Sequence, residues 1–362
     1  MRRTEQLSEL RKRLIKDSRE GILISSEVNQ RYISGFDYTD GYILVSEDKA
    51  YLLADFRYIE AARSAVSAED FEVIMPEGSM LSKLGLIAAI EKLQRIYIEE
   101  SSVCCDMLEK LRQNIKGAEI VGGASGAILS QRAIKSEWEL GKIAEAQAIT
   151  DKAFEHILGF IKEGVTEKEI ALELEFFMRR NGAEAAAFDT IAVSGKVSSM
   201  PHGVPRNIPI ERGFLTMDFG ARVDGYCSDM TRTVIIGKAD DEMKRLYNTV
   251  LRAQRAALDA LCEGVGCHYV DSVARDIINS AGYEGCFGHS LGHGVGMFVH
   301  ESPRFSPASK DGEVLCRGNV VTVEPGIYIA GKYGCRIEDM IALDHSGNVI
   351  NFTASPKELI EI

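Results

Sequence analysis

The stretch at residues 214–236, FLTMDFGARVDGYCSDMTRTVII, contains two strand-like runs separated by Asp224 and Gly225. An Asp-Gly pair between such runs is typical of a two-residue type I′ hairpin loop. Side chains alternate along a strand, so this loop places Asp218 and Asp229 on the same face as diagonal neighbours. Diagonal Cα atoms in a hairpin lie about 7–8 Å apart, so the two carboxylates converge on one space. A loop of odd length would put them on opposite faces.

The surroundings of these two aspartates indicate a buried hairpin. Met217, Phe219 and Met230 are apolar neighbours on the two runs. The alternative is a solvated face with incidental acids. Two carboxylates aimed at one space repel each other, and Asp is a poor strand residue. Because buried paired carboxylates normally need a cation, the hairpin favours a metal site.

A second pair of acids lies about a hundred residues further along the sequence. Glu324 stands in VVTVEPGIYI (320–329) and Glu338 in GCRIEDMIAL (334–343), and both runs have strand character. A turn around Gly331 would pair the two runs and bring the glutamates together. One such glutamate could protect an edge strand, but two hairpins that each carry a pair of acids favour a shared site.

The segment GHSLGHGVGMFVHESPR (288–304) contains three of the seven histidines, His289, His293 and His300. The i, i+4 spacing of His289 and His293 would form a two-histidine face on a helix. The glycines interspersed among them disfavour a regular helix and instead predict tight backbone that other groups approach closely. The H-E-x-x-H motif of helical zinc proteases is absent from the sequence.

These segments together supply four carboxylates and one imidazole, from Asp218, Asp229, His293, Glu324 and Glu338. This oxygen-rich set suits two divalent ions, Mn²⁺ above all, with Co²⁺, Fe²⁺ and Zn²⁺ as alternatives. Bridging carboxylates would hold a metal pair about 3.5–4 Å apart, where a shared water becomes hydroxide at neutral pH. The sequence therefore predicts a dinuclear hydrolytic centre.

Length and composition exclude several classes of protein. A chain of 362 residues predicts two or three domains, and its formal net charge of −12 argues against nucleic acid as a partner. No apolar run approaches the roughly 18 residues that span a bilayer, and the sequence begins without the apolar stretch of a signal peptide. We therefore expect a cytoplasmic protein with no membrane partner, whose eight cysteines are reduced.

Strand-like runs alternate with helical stretches in the first third of the sequence, which indicates an α/β domain. The runs occur at residues 21–26, 41–46, 50–55, 71–76 and 95–100. The second and third runs are joined by a short polar connection and predict a hairpin. No catalytic constellation is found in this part of the chain.

Helices and strands occur in separate blocks in the remainder, which favours an α+β fold. Two capping boxes predict long helices there, one at Ser136 with Glu139 and one at Thr166 with Glu169. The second helix should end at residues 181–182, where Asn-Gly is a left-handed stop signal. We predict domains at residues 1–128 and 129–362.

The acidic and histidine motifs resemble those of the pita-bread metallopeptidases, which include Xaa-Pro aminopeptidases, prolidases and methionine aminopeptidases. The resemblance rests on the two aspartates eleven residues apart, HGVGMFVHE, VEPGIY and RIED, and it covers residues 135–362. The preceding domain, with NQRYISGF (29–36) and ADFRY (54–58), resembles the N-terminal domain of the creatinase/prolidase branch. The fourteen-residue spacing of Glu324 and Glu338 is similar to that of the proline-specific members. The implied architecture is a pita-bread catalytic domain behind a smaller α/β domain.

The resemblance also implies metal ligands. Asp218 would chelate one metal, and Asp229 and Glu338 would bridge both. His293 and Glu324 would complete the other site, and Glu324 would shuttle the proton during hydrolysis.

Further residues match positions around the substrate in this family. His202, in SSMPHGVPRN, would contact the substrate near the scissile bond, and His300 would stabilise the tetrahedral intermediate or donate to the leaving group. His289 would line the pocket, and Arg336 would orient acids. Arg304, in HESPR, is a candidate for binding a free C-terminal carboxylate, with a surface or loop-anchoring role as the alternative.

The implied function is metal-dependent hydrolysis of the bond between an N-terminal residue and a following proline, as an Xaa-Pro aminopeptidase or an Xaa-Pro dipeptidase. The substrate would be a short peptide with proline at its second position. The alternatives are an aminopeptidase without proline specificity, a creatinase-like hydrolase and a non-catalytic peptide-binding relative. Relatives with this layout also imply a homodimer, in which the N-terminal domain helps to close the partner's active site.

Overall fold

The computed structural model describes the backbone of residues 3–362 and the side chains of residues 5–362. The chain divides into two compact units, Met1–Arg132 and Ala133–Ile362. Within the described residues, none of the helices combines the length and the apolar character needed to cross a membrane.

The first unit is an α/β domain, as the alternation of runs predicts. Its strands are β1 (Glu20–Ile24), β2 (Tyr42–Val45), β3 (Ala50–Leu53), β4 (Glu72–Ile74), β5 (Arg95–Ile98) and β6 (Glu119–Gly122). Its helices are α1 (Arg3–Leu14), α2 (Glu27–Ser34), α3 (Ile59–Ala65), α4 (Met80–Ile90), α5 (Cys105–Asn114) and α6 (Ala124–Ala133). The strands form one mixed sheet in the order β4-β3-β2-β1-β5-β6. The predicted β2–β3 hairpin is confirmed, with Val45 facing Ala50, whereas β6 was not predicted.

The second unit is an α+β domain with four α-helices, α7 (Glu137–Phe160), α8 (Glu167–Arg180), α9 (Asp241–Asp259) and α10 (Cys267–Ile278). Its first strands are β7 (Ala185–Ala186), β8 (Ile191–Ser194), β9 (Gly213–Phe219), β10 (Ala221–Val223), β11 (Tyr226–Cys227) and β12 (Met230–Ile236). Its later strands are β13 (Gly292–Gly294), β14 (Glu301–Phe305), β15 (Val320–Val323), β16 (Gly326–Ile329), β17 (Tyr333–Arg336), β18 (Asp339–Leu343) and β19 (Val349–Asn351). The glycine-rich histidine segment is a strand with loops, so the prediction against a helix is confirmed.

Local sequence signals explain the helix ends in this unit. Ser136 and Glu139 form a reciprocal capping box at the start of α7, and Thr166 and Glu169 form one at the start of α8. Each box satisfies backbone N–H groups that the first helical turn leaves unpaired. Helix α8 ends before Gly182, whose φ of 109° lies in the left-handed region.

The first acidic hairpin has the predicted register. Asp224 and Gly225 have φ values of 50° and 87°, as a type I′ loop requires at both central positions. Across β9 and β12, Asp218 faces Thr231. The two strands of the hairpin approach each other closely at Gly220. A Cβ atom added at this position would lie 1.9 Å from the Ser228 carbonyl oxygen.

The second acidic hairpin is also confirmed. Strands β16 and β17 pair around the turn that contains Gly331, and β15 and β18 pair beyond it with Val323 facing Asp339. Gly326 faces Arg336 on the other side of the break between these strands. The same register therefore places Glu324 opposite Glu338.

Apolar side chains bury both hairpins. Leu215, Met217, Phe219 and Met230 are inaccessible to solvent and pack with residues from α7 and α8. A second cluster packs α9 and α10 against the later strands through residues such as Ile337. The acids consequently stand in a region of low water content, where unpaired charge is costly.

The close approach at Gly220 gives a stability prediction. We expect Gly220→Ala to lower the free energy of unfolding by about 1–3 kcal/mol, because the methyl group displaces the backbone that carries the Ser228 carbonyl. The matched control is Gly141→Ala, an exposed position within α7 where an added Cβ meets no atom within 4 Å. That change should stabilise the protein by about 0.5–1 kcal/mol. Thermal unfolding of both variants with chelator present measures the difference, and equal behaviour would contradict the close-approach argument.

Candidate metal centre

Three buried residues form the centre of the site. Asp229, His293 and Glu338 each offer one ligand atom, and these atoms all lie within 4.8 Å of one another. Asp229 follows the tip of the first hairpin, Glu338 lies on the second, and His293 is the middle residue of β13. Three segments that are distant in sequence thus bring oxygen and nitrogen donors to one point, as metal ligation requires.

The other two predicted ligands adjoin this centre. Glu324 Oε1 lies 3.3 Å from His293 Nε2, which is also 3.6 Å from Asp229 Oδ2. Asp218 Oδ2 accepts a 2.6 Å hydrogen bond from Arg336 Nη2. Its second oxygen, Oδ1, is buried and has no hydrogen-bond partner among the described residues. A buried orphan oxygen of this kind is well suited to bind a cation.

The electrostatics of the site also favour a cation. Burial raises the pKa of Asp229 well above its usual value, and the charges of Glu338, Asp218 and Glu324 raise it further. The pKa of Glu338 is raised well above normal for the same reasons. By contrast, although burial acts to raise the pKa of Glu324, the hydrogen bond and charge of His293 lower it to about 2. Divalent cations would relieve the repulsion among these acids, so the residues fit a metal.

Arg336 organises one side of the cluster. Besides Asp218, it donates from Nε to Thr231 Oγ1 at 2.8 Å and from Nη1 to the Tyr328 hydroxyl at 2.8 Å. Thr231 in turn donates to Glu338 Oε2 at 2.7 Å. One guanidinium thus connects the two acidic hairpins, and groups that hydrogen-bond to metal ligands orient those ligands in this way.

The remaining predicted residues border a cavity of about 430 Å³ beside the cluster. His202, His289, His300, Arg304 and Arg336 all line it. The rings of His293 and His300 meet edge to face with centroids 4.3 Å apart. Burial lowers the pKa of His300, and the charges of His293 and Arg304 lower it further.

His289 and His293 have different positions despite their helix-like spacing. The Nε2 atom of His289 lies 2.9 Å from the Tyr328 hydroxyl, and its Nδ1 atom lies 2.8 Å from the Ser290 carbonyl oxygen. His289 therefore joins the Arg336 network through Tyr328 and is not part of the three-residue cluster. The sequence did not single out Tyr328, because nothing in its local sequence distinguishes it from the neighbouring strand residues. Only the fold shows that its hydroxyl contacts Arg336.

Comparison with known proteins identifies both units. Residues 141–345 match the model of metallopeptidase family M24, and residues 6–134 match the creatinase/prolidase N-terminal domain. The chain belongs to metallopeptidase family M24. It is therefore a metal-dependent peptidase, and its fold is the pita-bread domain preceded by the smaller α/β domain, as predicted from the sequence.

Relatives that match nearly the whole chain support its assignment to family M24. The chain is 39% identical to an Xaa-Pro dipeptidase of Pyrococcus horikoshii over 349 residues, which cover 95% of each protein. A solved Xaa-Pro dipeptidase from Bacillus anthracis matches with a TM-score of 0.94 at 39% identity, covering 99% of this chain and all of that one. An X-Pro aminopeptidase structure from Thermotoga maritima matches with a TM-score of 0.89 at 36% identity, covering 99% of this chain and all of that one.

Two side chains of helix α10 hold the histidine segment of this M24 peptidase in place. Asp271 accepts from the Leu291 backbone N–H and forms an ion pair with Arg275, one helical turn further on. Arg275 donates to the carbonyl oxygens of Phe287 and His289. The i, i+4 spacing of this pair is visible in the sequence, but its partners 12 to 20 residues away are not.

A buried ion pair supports the loop that carries His300. Lys135 Nζ lies 3.1 Å from Glu301 Oε2, with side chains only 1% and 3% exposed. Glu301 Oε1 accepts from the Phe298 backbone N–H at 3.0 Å, and the Lys135 carbonyl lies 2.7 Å from His345 Nε2. Glu301, which follows His300, is therefore held in place by Lys135, whose backbone carbonyl is itself held by His345.

The acidic cluster predicts that one substitution raises the thermal stability without metal and weakens the stabilisation by metal. In chelator, Asp229→Asn should raise the thermal midpoint, because it removes one of the repelling buried carboxylates. On addition of Mn²⁺ or Co²⁺, the unsubstituted protein should gain about 2.7 kcal/mol at a metal concentration of 100 Kd, and the variant should gain far less. Asp224→Asn, at the exposed hairpin tip, is the matched control and should respond to metal normally. A lower midpoint of Asp229→Asn in chelator would contradict this account.

The buried ion pair predicts a rescue. Lys135→Met should cost about 3–5 kcal/mol of stability, because the buried carboxylate of Glu301 loses the ammonium group that lies 3.1 Å from it. Adding Glu301→Gln removes that charge while its amide oxygen can still accept from Phe298 N–H, so the double variant should regain most of the loss. Chemical unfolding of the single and double variants tests this, and additive losses would show that the pair does not act as a unit.

Proposed function

We propose that this chain is an Xaa-Pro dipeptidase, which cleaves the bond between an N-terminal residue and a C-terminal proline. The observation that carries the proposal is the position of Arg304. It faces His293 in the register of β13 and β14, lines the cavity, and its side chain makes no ion pair within the described part of the chain. A free guanidinium beside the reaction centre suits the carboxylate of a dipeptide.

The proposal includes two divalent metal ions, with Mn²⁺ as the expected metal. Asp218 would hold one ion, His293 and Glu324 the other, and Asp229 and Glu338 would be shared by both. Carboxylate oxygens with a single imidazole suit Mn²⁺ among the borderline metals. The orphan oxygen of Asp218 and the raised pKa values of Asp229 and Glu338 support this ligand set.

Bound divalent ions would supply Lewis acidity, which activates a water molecule and polarises the scissile carbonyl. The protein's own groups complete the chemistry in the proposal. Glu324, which lines the cavity with its Oε1 3.3 Å from His293 Nε2, would accept the proton of the attacking water. His300 and His202 line the same cavity and would stabilise the developing oxyanion and donate to the leaving nitrogen. Arg336 would keep Asp218 in position through its 2.6 Å contact.

Proline preference has a basis in the cavity wall. Phe188, Ile191, Pro201 and Val299 contribute apolar side chains to it. Such surfaces suit a pyrrolidine ring, and an X-Pro amide has no N–H that would need a hydrogen-bond acceptor. These residues could not be chosen from the sequence, because they come from separate segments of the chain that only the fold brings to one cavity.

The second candidate is an Xaa-Pro aminopeptidase that accepts longer peptides. The observation that favours it is the similar match to the Thermotoga maritima aminopeptidase structure, which covers the whole of that chain. The two activities share the metal cluster and differ in whether the chain continues beyond proline. The two activities are distinguished by whether Arg304 binds a free carboxylate on the proline of the substrate.

The family resemblance extends the proposal to quaternary structure and location. We propose a cytoplasmic homodimer of this chain. The N-terminal unit would then contribute to closing the partner's active site.

Substrate length tests the proposed function. We expect the metal-loaded enzyme to cleave Ala-Pro with a kcat/KM at least tenfold above that for Ala-Pro-Ala. Only the dipeptide has its free carboxylate on the proline itself, where Arg304 would bind it. Met-Ala-Ser should be cleaved least. Liberated amino acids are quantified by chromatography, and faster cleavage of Ala-Pro-Ala would favour the aminopeptidase.

A variant separates the role of Arg304 from a general effect on the site. Arg304→Met should raise KM for Ala-Pro by tenfold or more and leave the KM for Ala-Pro-amide nearly unchanged, because the amide lacks the charge that arginine would bind. Equal losses on both substrates would show that Arg304 only anchors the loop.

A further inference from the structure

The cavity beside the metal cluster contains one acid that the proposed chemistry does not use. Five carboxylates line it, from Asp189, Asp218, Asp229, Glu324 and Glu338, and the last four belong to the metal cluster. Asp189 is exposed, and its side chain makes no ion pair or hydrogen bond with the side chains described, those of residues 5–362, or with the described backbone. A carboxylate that lines a cleft with no partner of its own is available to a ligand.

The strand registers show on which side of the cluster this acid lies. Ile191 faces Asp218 across β8 and β9, and Asp189 precedes Ile191 by two residues, in the segment that leads into β8. Arg304 instead faces His293 on the pairing of β13 with β14. The free carboxylate is thus adjacent to the Asp218 side of the cluster, and the free guanidinium is adjacent to the His293 side.

The charges of the cleft are complementary to those of a dipeptide. Bound cations would neutralise the acids of the cluster, and Arg336 is already engaged with Asp218. Asp189 and Arg304 then remain as the charged groups of the cleft without a counter-charge. A dipeptide is a zwitterion, and each of its charges loses hydration when it enters a cavity, so each needs an opposite partner.

We propose that Asp189 is a specificity-determining residue that binds an ammonium group on the N-terminal residue of the substrate. This inference rests on the proposed peptidase function and deepens it. The ammonium has two sources, the α-amino group, which every substrate carries, and the side chain of an N-terminal lysine. In both cases the carboxylate of Asp189 accepts N–H bonds from the cation, at the end of the substrate opposite Arg304.

The test uses the metal-loaded full-length enzyme and the variants Asp189→Asn and Asp189→Glu. The first arm compares KM for Ala-Pro with the inhibition constant of propionyl-proline, which has the same skeleton without the amino group. The second arm compares kcat/KM for Lys-Pro with that for norleucyl-proline, which has the same four side-chain carbons and a hydrogen atom in place of the side-chain ammonium. Metal content and thermal midpoint are measured for every variant, and neither should change, because Asp189 is not a ligand.

Either of two results supports the proposal. For the α-ammonium, Asp189→Asn raises KM for Ala-Pro at least tenfold and leaves the inhibition constant of propionyl-proline unchanged. For the side chain, Asp189→Asn leaves Ala-Pro unaffected and lowers the Lys-Pro to norleucyl-proline ratio at least tenfold. Asp189→Glu, which keeps the charge, restores part of the loss in both cases. The control Asp276→Asn, an exposed acid on α10, changes none of these values.

Two other results overturn it. If Asp189→Asn changes neither arm by more than twofold, Asp189 binds no substrate cation. If KM for Ala-Pro and the inhibition constant of propionyl-proline rise together, its role is structural. Failure of the proposed function is recognised separately, because the unsubstituted metal-loaded enzyme would then cleave none of the proline dipeptides.

Discussion

Mutual repulsion among buried carboxylates is the constraint on which the catalytic unit depends. Asp229 and Glu338 have donor atoms in one small space with His293, and burial together with neighbouring acids raises their pKa values. Such an arrangement is unfavourable by itself and becomes favourable when cations bind. The surrounding apolar packing holds the acids together, and Arg336 supplies one positive charge that the protein itself provides.

The two acidic hairpins were predictable because strand geometry leaves few alternatives. A two-residue loop at Asp224 and Gly225 fixes the register, and the register fixes which side chains share a face. The same reasoning applied to Glu324 and Glu338, whose flanking strands pair as expected. Local signals also sufficed for the capping boxes and the helix ends, because these depend on residues within a single turn.

Residues that act through distant contacts were not predictable. Tyr328 has no local signature that separates it from an ordinary strand residue, and Lys135 meets a glutamate that is 166 positions away. Asp189 is an unremarkable exposed acid until the fold places it in the same cavity as Arg304. Pattern reasoning identifies residues whose chemistry is unusual for their surroundings, whereas partners defined by tertiary packing require the structure.

The wide separation of the ligands along the chain has a consequence for the order of events during folding. Thr231 bonds to Glu338 across 107 positions, so the cluster depends on non-local contacts whose chain-closure entropy is paid late. A partly folded or partly synthesised chain that contains only the first hairpin has two of the acids and none of the remaining ligands. Capture of metal is therefore coupled to completion of the catalytic unit, and an ion bound at this centre reports that both hairpins and the histidine strand have docked.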